Sequence, residues 1–255
     1  MRFASLGSGS EGNGLLVESN GTRILADCGF SLAETISRLA RIGVEAESID
    51  AVLVTHEHDD HVGGVARFAR KFKKPVWLTY GTLQASAAAL TAVDGVRVFD
   101  CHQRFVIDAI EVEPYTVPHD AREPSQFVFS DGNVRLGLLT DAGSLTAHMR
   151  SVLNALDAIV LECNHDTGLL RNSSYPESLK QRIGGRFGHL SNDTAAELLS
   201  GLDCSRLKHV IAAHLSQKNN RPDLASAALA RALCCEQSWI GVADQASGFQ
   251  WRELN

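Results

Sequence analysis

One apolar strand that runs directly into a cluster of histidines and carboxylates constrains this chain more than any other segment. Residues 51–54 are Ala-Val-Leu-Val, a run typical of a buried strand, and residues 55–61 are Thr-His-Glu-His-Asp-Asp-His. So many polar side chains at the end of a buried strand are costly unless a partner satisfies them. Imidazole and carboxylate together suit a first-row divalent ion. The segment therefore predicts that one short loop contributes to two neighbouring metal sites.

Four later strand-like runs also end in side chains that can bind a metal. Residues 109–117 are followed by His119, and residues 134–139 by Asp141. Residues 158–161 are followed by the segment from Glu162 to His165, and residues 207–213 by His214. Because a sheet holds the residues at its strand ends in fixed positions, these side chains can meet. We predict two ions, each held by three ligands of its own, with one aspartate bridging them. The ligands are His56, His58 and His119 for the first ion, Asp60, His61 and His214 for the second, and Asp141 as the bridge.

This ligand set predicts a hydrolytic centre. Protein ligands of this number leave open coordination positions, as a catalytic metal site requires. A hydroxide bridging the ions would be the nucleophile, and paired ions stabilise the attacking and leaving oxygens of a phosphoester. Zinc and manganese both accept histidine and aspartate ligands, so the identity of the two divalent ions is left open.

The composition sets wider limits. The 255 residues suffice for one large domain, and we expect residues 1–255 to form it from two similar halves, about 1–122 and 123–255. A net charge of −6 does not indicate nucleic-acid binding, although a local basic patch would suffice for it. No apolar run has the length of a membrane span, and none follows the N-terminus as in a secretory signal. The six cysteines include no CxxC pair, so we expect a cytoplasmic protein with reduced thiols.

Strand-like and helix-like segments alternate through both halves of the chain. This alternation predicts an α/β or α+β class in which helices cover sheets. Asp131-Gly132-Asn133 lies between two strand-like runs and predicts a hairpin turn.

The spacing His-x-His-x-Asp-His at residues 56–61, with His119, Asp141 and His214 later in the chain, resembles the metallo-β-lactamase superfamily of binuclear hydrolases. The resemblance covers nearly the whole chain and implies a four-layer αβ/βα sandwich with the site along one edge of two facing sheets. Residues 6–14, 118–121, 162–166 and 188–192 further resemble the YycJ-type subgroup. That resemblance implies a 5′-to-3′ exonuclease acting on DNA, with Asp60 among its catalytic residues.

The opening segment, residues 6–14, is rich in glycine and small polar residues. Its backbone N–H groups and the side chains of Ser8, Ser10 and Asn13 can approach an anion closely, so we expect them to bind substrate phosphate. A tight turn between two strands is the alternative interpretation.

Residues 184–189, Gly-Gly-Arg-Phe-Gly-His, form a second glycine-rich stretch. We expect Arg186 to bind phosphate and His189 to protonate the leaving oxygen. Ser191 and Asn192 are expected to contact the substrate as well. The alternative is that this loop caps the following helix, with Ser191 or Asn192 as the N-cap.

Two further features of the second half are compatible with substrate binding. Asn164 and His165 follow a strand end and are expected to line the cleft, unless they form a turn that caps the strand. The second feature is a group of basic residues that we expect to form a track for substrate phosphates. The alternative is that these residues lie on solvated helix faces. The residues of this track are Arg171, Lys180, Arg182 and Arg186.

Other functions within the same fold stay open, because a fold does not fix its chemistry. One alternative is an RNA-directed nuclease, and another is a hydrolase of small esters, thioesters or lactones. A thioester hydrolase is expected to carry an added helical region after His214, for which the remaining 41 residues leave little room. A metal-bound sensor without activity is a third alternative, disfavoured by the intact ligand set. The oligomeric state is not predicted.

Overall fold

The protein, studied as a computed structural model, is described over residues 1–254 and contains two seven-stranded sheets that face each other. The elements of the first part of the chain are β1 (Arg2–Gly7), β2 (Gly14–Ser19), β3 (Thr22–Ala26), α1 (Leu32–Arg41), β4 (Ala51–Leu53), α2 (Asp59–Val62), α3 (Val65–Phe72), β5 (Val76–Leu78), α4 (Tyr80–Leu90) and β6 (Val96–Val98). Those that follow are β7 (Phe105–Ile107), β8 (Ile110–Thr116), β9 (Ser125–Ser130), β10 (Arg135–Leu139), α5 (Ala147–Val152), β11 (Ala158–Glu162), α6 (Thr167–Asn172), α7 (Glu177–Ile183), α8 (Asn192–Ser200), β12 (His209–Ala213), α9 (Pro222–Leu233), β13 (Gly241–Val242) and β14 (Phe249–Glu253). Short 3₁₀ turns occupy Ala46–Ser48 and Gln237–Trp239.

The strand order of each sheet follows the chain closely. The first sheet has the order β14-β1-β2-β3-β4-β5-β6, and the second has the order β13-β12-β11-β10-β9-β8-β7. The predicted hairpin at residues 131–133 is present, since β9 and β10 pair antiparallel on either side of it and Gly132 takes a φ of 87°. The two sheets do not coincide with the two predicted halves. Strands β7 and β8 lie in the second sheet, and the last strand, β14, pairs with β1 in the first.

Three hydrophobic cores separate four layers. One core lies between the sheets, one between the first sheet and helices α1, α3 and α4, and one between the second sheet and helices α5, α8 and α9. Strand β11 shows how the sequence supplies two cores at once. Ala158 and Val160 face the core between the sheets, whereas Ile159 and Leu161 face the helices, because side chains alternate along a strand. The predicted α/β class and four-layer sandwich are confirmed.

No helix within residues 1–254 is long and apolar enough to cross a membrane. The six cysteines all lie in this range, and none of them forms a disulfide.

Candidate metal centre

The seven predicted ligands come from strand ends that meet at one edge of the sandwich. Strand β4 of the first sheet leads through Val54 into the loop that carries His56 and His58, and the short helix α2 then carries Asp60 and His61. In the second sheet, β8, β10 and β12 run in the same direction, because β10, β11 and β12 are parallel and β9 is antiparallel to both β8 and β10. The residues that follow these three strands are His119, Asp141 and His214.

Three histidine nitrogens form the first group of donors. His58 Nδ1 lies 3.1 Å from His56 Nε2 and 3.3 Å from His119 Nε2. All three nitrogens fall within 4.8 Å of one another, which is the spacing of atoms that can share one ion. Burial lowers the pKa of His56, and the neighbouring His61 lowers it further.

One carboxylate and two histidines form the second group. Asp60 Oδ2 lies 3.4 Å from His61 Nε2 and 3.3 Å from His214 Nε2. Burial alone would raise the pKa of Asp60, but the hydrogen bonds with His214 and His61 hold it well below its usual value. Burial alone would also lower the pKa of His61, yet Asp141 and Asp27 raise it well above the usual value. This group therefore keeps its carboxylate ionised.

Asp141 lies between the two groups. Its Oδ2 is 3.2 Å from His61 Nε2, and its Oδ1 is 3.9 Å from His119 Nε2. The residue is 1% exposed, and Oδ2 has no hydrogen-bond partner within the described chain. Because a buried carboxylate oxygen without a partner is costly, this atom is placed as a ligand of a cation would be. The donor set of nitrogens and carboxylate oxygens fits divalent ions.

Contacts at the ring nitrogen that faces away from the centre fix the orientation of three of the histidine rings. His61 Nδ1 lies 2.8 Å from Asp27 Oδ2, His56 Nδ1 lies 2.9 Å from Thr55 Oγ1, and His119 Nδ1 lies 2.9 Å from the carbonyl oxygen of Gly188. Each contact turns the other ring nitrogen, Nε2, towards the centre, which is how metal-binding histidines are usually held.

Two residues of the centre have left-handed backbone conformations. Asp27 has a φ of 60° and His214 has a φ of 53°, both costly for residues other than glycine. The sequence prediction did not include Asp27. Its signal was present, since Asp27 is a carboxylate directly after the apolar end of β3.

His189 lies beside the centre and is held by a buried carboxylate. Its Nδ1 is 2.7 Å from Oε1 of Glu162 and 3.4 Å from Oδ1 of Asp141. Glu162 is fully buried, and its Oε2 accepts the backbone N–H groups of Ala142 and Leu190. Burial alone would lower the pKa of His189, but Glu162 raises it above its usual value. The sequence prediction named Glu162 only as a strand-end residue and missed its contact with His189.

A cleft opens over the centre. Its lining combines ligands of both groups with residues of α7 and of the loops on either side: Ser10, His58, Asp59, Asp60, Asp120, Asp141, Leu179, Arg182, Ile183, Gly188, His189 and His214. Of the residues predicted to bind substrate, Ser10 lies in this cleft. Arg186 is exposed but does not line it, whereas Arg182 does.

Two residues of the opening loop are buried behind the ligands. Asn13 Nδ2 donates to the carbonyl oxygen of Asp60 at 3.2 Å and lies 3.1 Å from His61 Nε2. Ser8 Oγ donates to Asn13 Oδ1 and accepts the backbone N–H of His214. Both residues therefore contact predicted metal ligands, and neither lines the cleft.

The residues predicted after β11 and before α8 also lie outside the cleft lining. Asn164 is buried, and its Nδ2 donates to the carbonyl oxygen of His214 at 3.1 Å. His165 is buried, and its backbone forms an isolated β-bridge with that of Ser191. The side chain of Ser191 caps α8 by accepting the N–H of Thr194. Asn192 is buried and pairs with Asn220. These contacts match the alternative interpretation in which the residues cap and connect elements.

Fold and site together define a metal-dependent hydrolase with a metallo-β-lactamase fold. Residues 22–214 match the family described as the beta-lactamase superfamily domain, and the chain belongs to that family. It is 34% identical over 246 residues to exodeoxyribonuclease YycJ of Bacillus anthracis, covering 96% of this chain and 92% of that protein. It is also 34% identical over 245 residues to exodeoxyribonuclease WalJ of Streptococcus pneumoniae serotype 2 (strain D39 / NCTC 7466), covering 94% and 91% respectively.

A solved structure shares the fold. The metallo-beta-lactamase fold protein YhfI from Bacillus subtilis superposes with a TM-score of 0.76 and covers 99% of both chains at 18% identity. At this identity the likeness shows the architecture alone, and it agrees with the two-sheet sandwich described above.

Proposed function

We propose that this protein is a 5′-to-3′ exonuclease that hydrolyses DNA with two divalent ions. The observation that carries the proposal is the pair of donor groups on either side of the buried carboxylate of Asp141. Two such sites are the arrangement used for in-line displacement at phosphorus. The choice of DNA as substrate is supported by the relatives named exodeoxyribonuclease, which are similar over more than nine tenths of the chain.

Each ion would be held by its own group of residues. His56, His58 and His119 would hold one, and Asp60, His61 and His214 would hold the other, with Asp141 between them. When bound, such ions supply a hydroxide nucleophile at neutral pH and neutralise charge on the phosphoryl oxygens. Asp60 also shapes the cleft, because its side chain forms part of the lining.

His189 would donate the proton to the leaving oxygen. The hydrogen bond between its Nδ1 and Glu162 fixes the ring, and Nε2 has no hydrogen-bond partner within residues 1–254. The raised pKa of His189 keeps the ring protonated at higher pH, as a proton donor requires. Glu162 therefore acts as a positioning residue for the donor.

Zinc and manganese are both candidates for the ions, since imidazole and carboxylate ligands accept either. The substrate is a nucleic acid, with DNA favoured over RNA, and neither a protein partner nor a membrane is part of the proposal. A cytoplasmic location is consistent with six cysteines that form no disulfide.

The proposal is tested with linear double-stranded DNA labelled at the 5′ end or at the 3′ end. Wild-type protein and the Asp60→Ala variant are compared with added manganese or zinc, and bound metal is measured in parallel. We expect the wild type alone to release labelled mononucleotides from the 5′-labelled DNA at early times. A wild-type protein that holds two ions and cleaves neither DNA with either metal would direct the assignment to RNA or to a small ester.

A further inference from the structure

The loop between α7 and His189 carries an exposed aromatic residue next to a residue that lines the cleft. Phe187 is 57% exposed and is absent from all three hydrophobic cores. An exposed large apolar side chain is informative where it lies next to a functional site. The adjacent Gly188 lines the cleft, and its carbonyl oxygen contacts His119. Phe187 therefore directly precedes a residue that lines the cleft, and its side chain is open to solvent.

The cleft has one strongly basic side chain. Among the described residues that line it, Arg182 is the one with a guanidinium or ammonium group, against four aspartates. Arg182 Nε donates to Asp120 Oδ2 at 2.6 Å, and within residues 1–254 its two Nη atoms have no hydrogen-bond partner. A guanidinium that is fixed through Nε still offers Nη donors in a planar fork that suits phosphate.

Asp120 connects these two features. Its side chain accepts from Arg182, and its backbone N–H donates to the carbonyl oxygen of Phe187 at 2.9 Å. Asp120 directly follows His119, so both contacts are tied to the metal centre through one residue. Asp120 thus holds both the guanidinium of Arg182 and the backbone of Phe187.

We propose that Arg182 and Phe187 form a subsite for one nucleotide of the substrate, in which the guanidinium binds a phosphate and the ring stacks on the base. The subsite deepens the proposed nuclease function and rests on it. Aromatic stacking is tolerant of base identity, because every base has a π-face, so the subsite suits an exonuclease that accepts any sequence. The fixed guanidinium supplies positive charge to a cleft that is otherwise acidic.

The test measures binding without cleavage. The metal-loaded protein is titrated in a calorimeter with deoxyadenosine 5′-monophosphate and with 2-deoxyribose 5-phosphate, which lacks the base. We expect the wild type to bind the nucleotide about tenfold more tightly than the sugar phosphate. Phe187→Ala should lose this preference and leave the sugar phosphate unaffected, whereas Phe187→Tyr should keep it. Arg182→Ala should weaken both ligands by about tenfold, because each contains the phosphate.

Two exposed residues that do not line the cleft provide matched controls. Trp239 is an exposed aromatic next to β13, level with the end of β12 that lies away from His214. Arg231 has a side chain that is 70% exposed and, like Arg182, faces an aspartate. Trp239→Ala and Arg231→Ala should bind both ligands as the wild type does.

The outcomes separate this subsite from the proposed function. Equal affinity of the wild type for the two ligands, or an unchanged base preference in Phe187→Ala, overturns the subsite and leaves the DNA assay untouched. If the wild type fails to cleave DNA but shows the expected pattern of affinities, the exonuclease proposal is wrong and the proposal of a nucleotide subsite stands.

Discussion

At the scale of single residues, the centre depends on partners that never touch a metal. Asp27 accepts the backbone N–H and the hydroxyl of Thr55 and contacts His61 Nδ1 at 2.8 Å. Thr55 in turn contacts His56 Nδ1 at 2.9 Å. One buried carboxylate therefore orients a ligand of each group. Its left-handed backbone is less costly for aspartate or asparagine than for most other non-glycine residues, so asparagine can replace it without added strain.

Asp27→Asn is expected to weaken metal binding about 10- to 100-fold, because the ring of His61 loses its charged partner. Competition with a chelator of known affinity measures the effect. Asp50→Asn removes a carboxylate that accepts the N–H of Arg23 away from the centre, and serves as the control. An Asp27→Asn protein with wild-type metal affinity would show that the contact does not orient the ligand.

His189→Ala is expected to keep both ions and to lower kcat by about 10²- to 10⁴-fold, since the proton donor is removed. His148→Ala, a change at an exposed histidine on α5, should alter neither quantity. Metal content and kcat are measured on the same samples. Loss of an ion from His189→Ala would assign His189 as a ligand, because His189 also lies within reach of Asp141 and His214.

At the scale of elements, ion pairs across neighbouring strands support the register of the first sheet. Glu18 on β2 lies opposite Arg2 on β1 and opposite Arg23 on β3. Arg2 Nη2 is 2.7 Å and Arg23 Nε is 2.6 Å from its carboxylate oxygens. Burial alone would raise the pKa of Glu18, but the two arginines hold it below its usual value. Opposite charges on facing strands stabilise such pairing.

Glu18→Gln is expected to lower the free energy of unfolding by about 1 kcal/mol at pH 7, because the arginines are partly exposed and screened. A lowered pKa in the folded state stabilises the protein above the unfolded-state pKa and ceases to do so as the pH falls through the folded value. The difference from wild type should therefore shrink in acid below about pH 4. Urea unfolding at several pH values measures it.

The matched control for this pair is Glu253→Gln. Glu253 lies 3.9 Å from Arg2, and its side chain is 58% exposed, so its removal should cost less than removal of Glu18. A Glu18→Gln deficit that stays constant from neutral pH into acid would contradict the role of the charge.

At the scale of the whole molecule, the metal centre joins the two sheets. His56, His58, Asp60 and His61 follow β4 of the first sheet, whereas His119, Asp141 and His214 follow strands of the second. Ions that bind the folded protein and not the unfolded chain stabilise the fold by mass action. Ions bound at the predicted centre would therefore help to hold this edge of the sandwich together.

Removal of the ions by a chelator is expected to lower Tm by roughly 10–20 °C, because two sites that are each about 100-fold above their Kd in free metal together contribute about 5 kcal/mol. Differential scanning calorimetry with and without the chelator measures the shift. In Asp141→Ala, which loses the bridge, the chelator should have a much smaller effect. A wild-type Tm that does not change on complete metal removal would show that metal binding does not stabilise the fold.

The sequence alone predicted the class of fold and the seven residues that the structure gathers, because both depend on local patterns. Apolar runs marked the buried strands, and each ligand followed one of them directly, as Asp141 follows β10. The pairing of strands that are distant in the sequence was harder to predict. Strand β14 was not predicted, since only two of the five residues Phe-Gln-Trp-Arg-Glu are apolar and the segment becomes a strand by pairing with β1 at the other end of the chain.

The tertiary structure alone decided which polar residues face the cleft. Asn13, Asn164 and Asn192 look like substrate ligands in the sequence, but all three are buried. Asn13 and Asn164 donate to the backbone carbonyl oxygens of Asp60 and His214, and Asn192 pairs with Asn220. Arg182 and Arg186 have the same charge and lie four residues apart, yet only Arg182 lines the cleft. Residue type and spacing determine which chemistry is available, whereas tertiary contacts, such as that of Arg182 with Asp120, determine which side chains line the cleft.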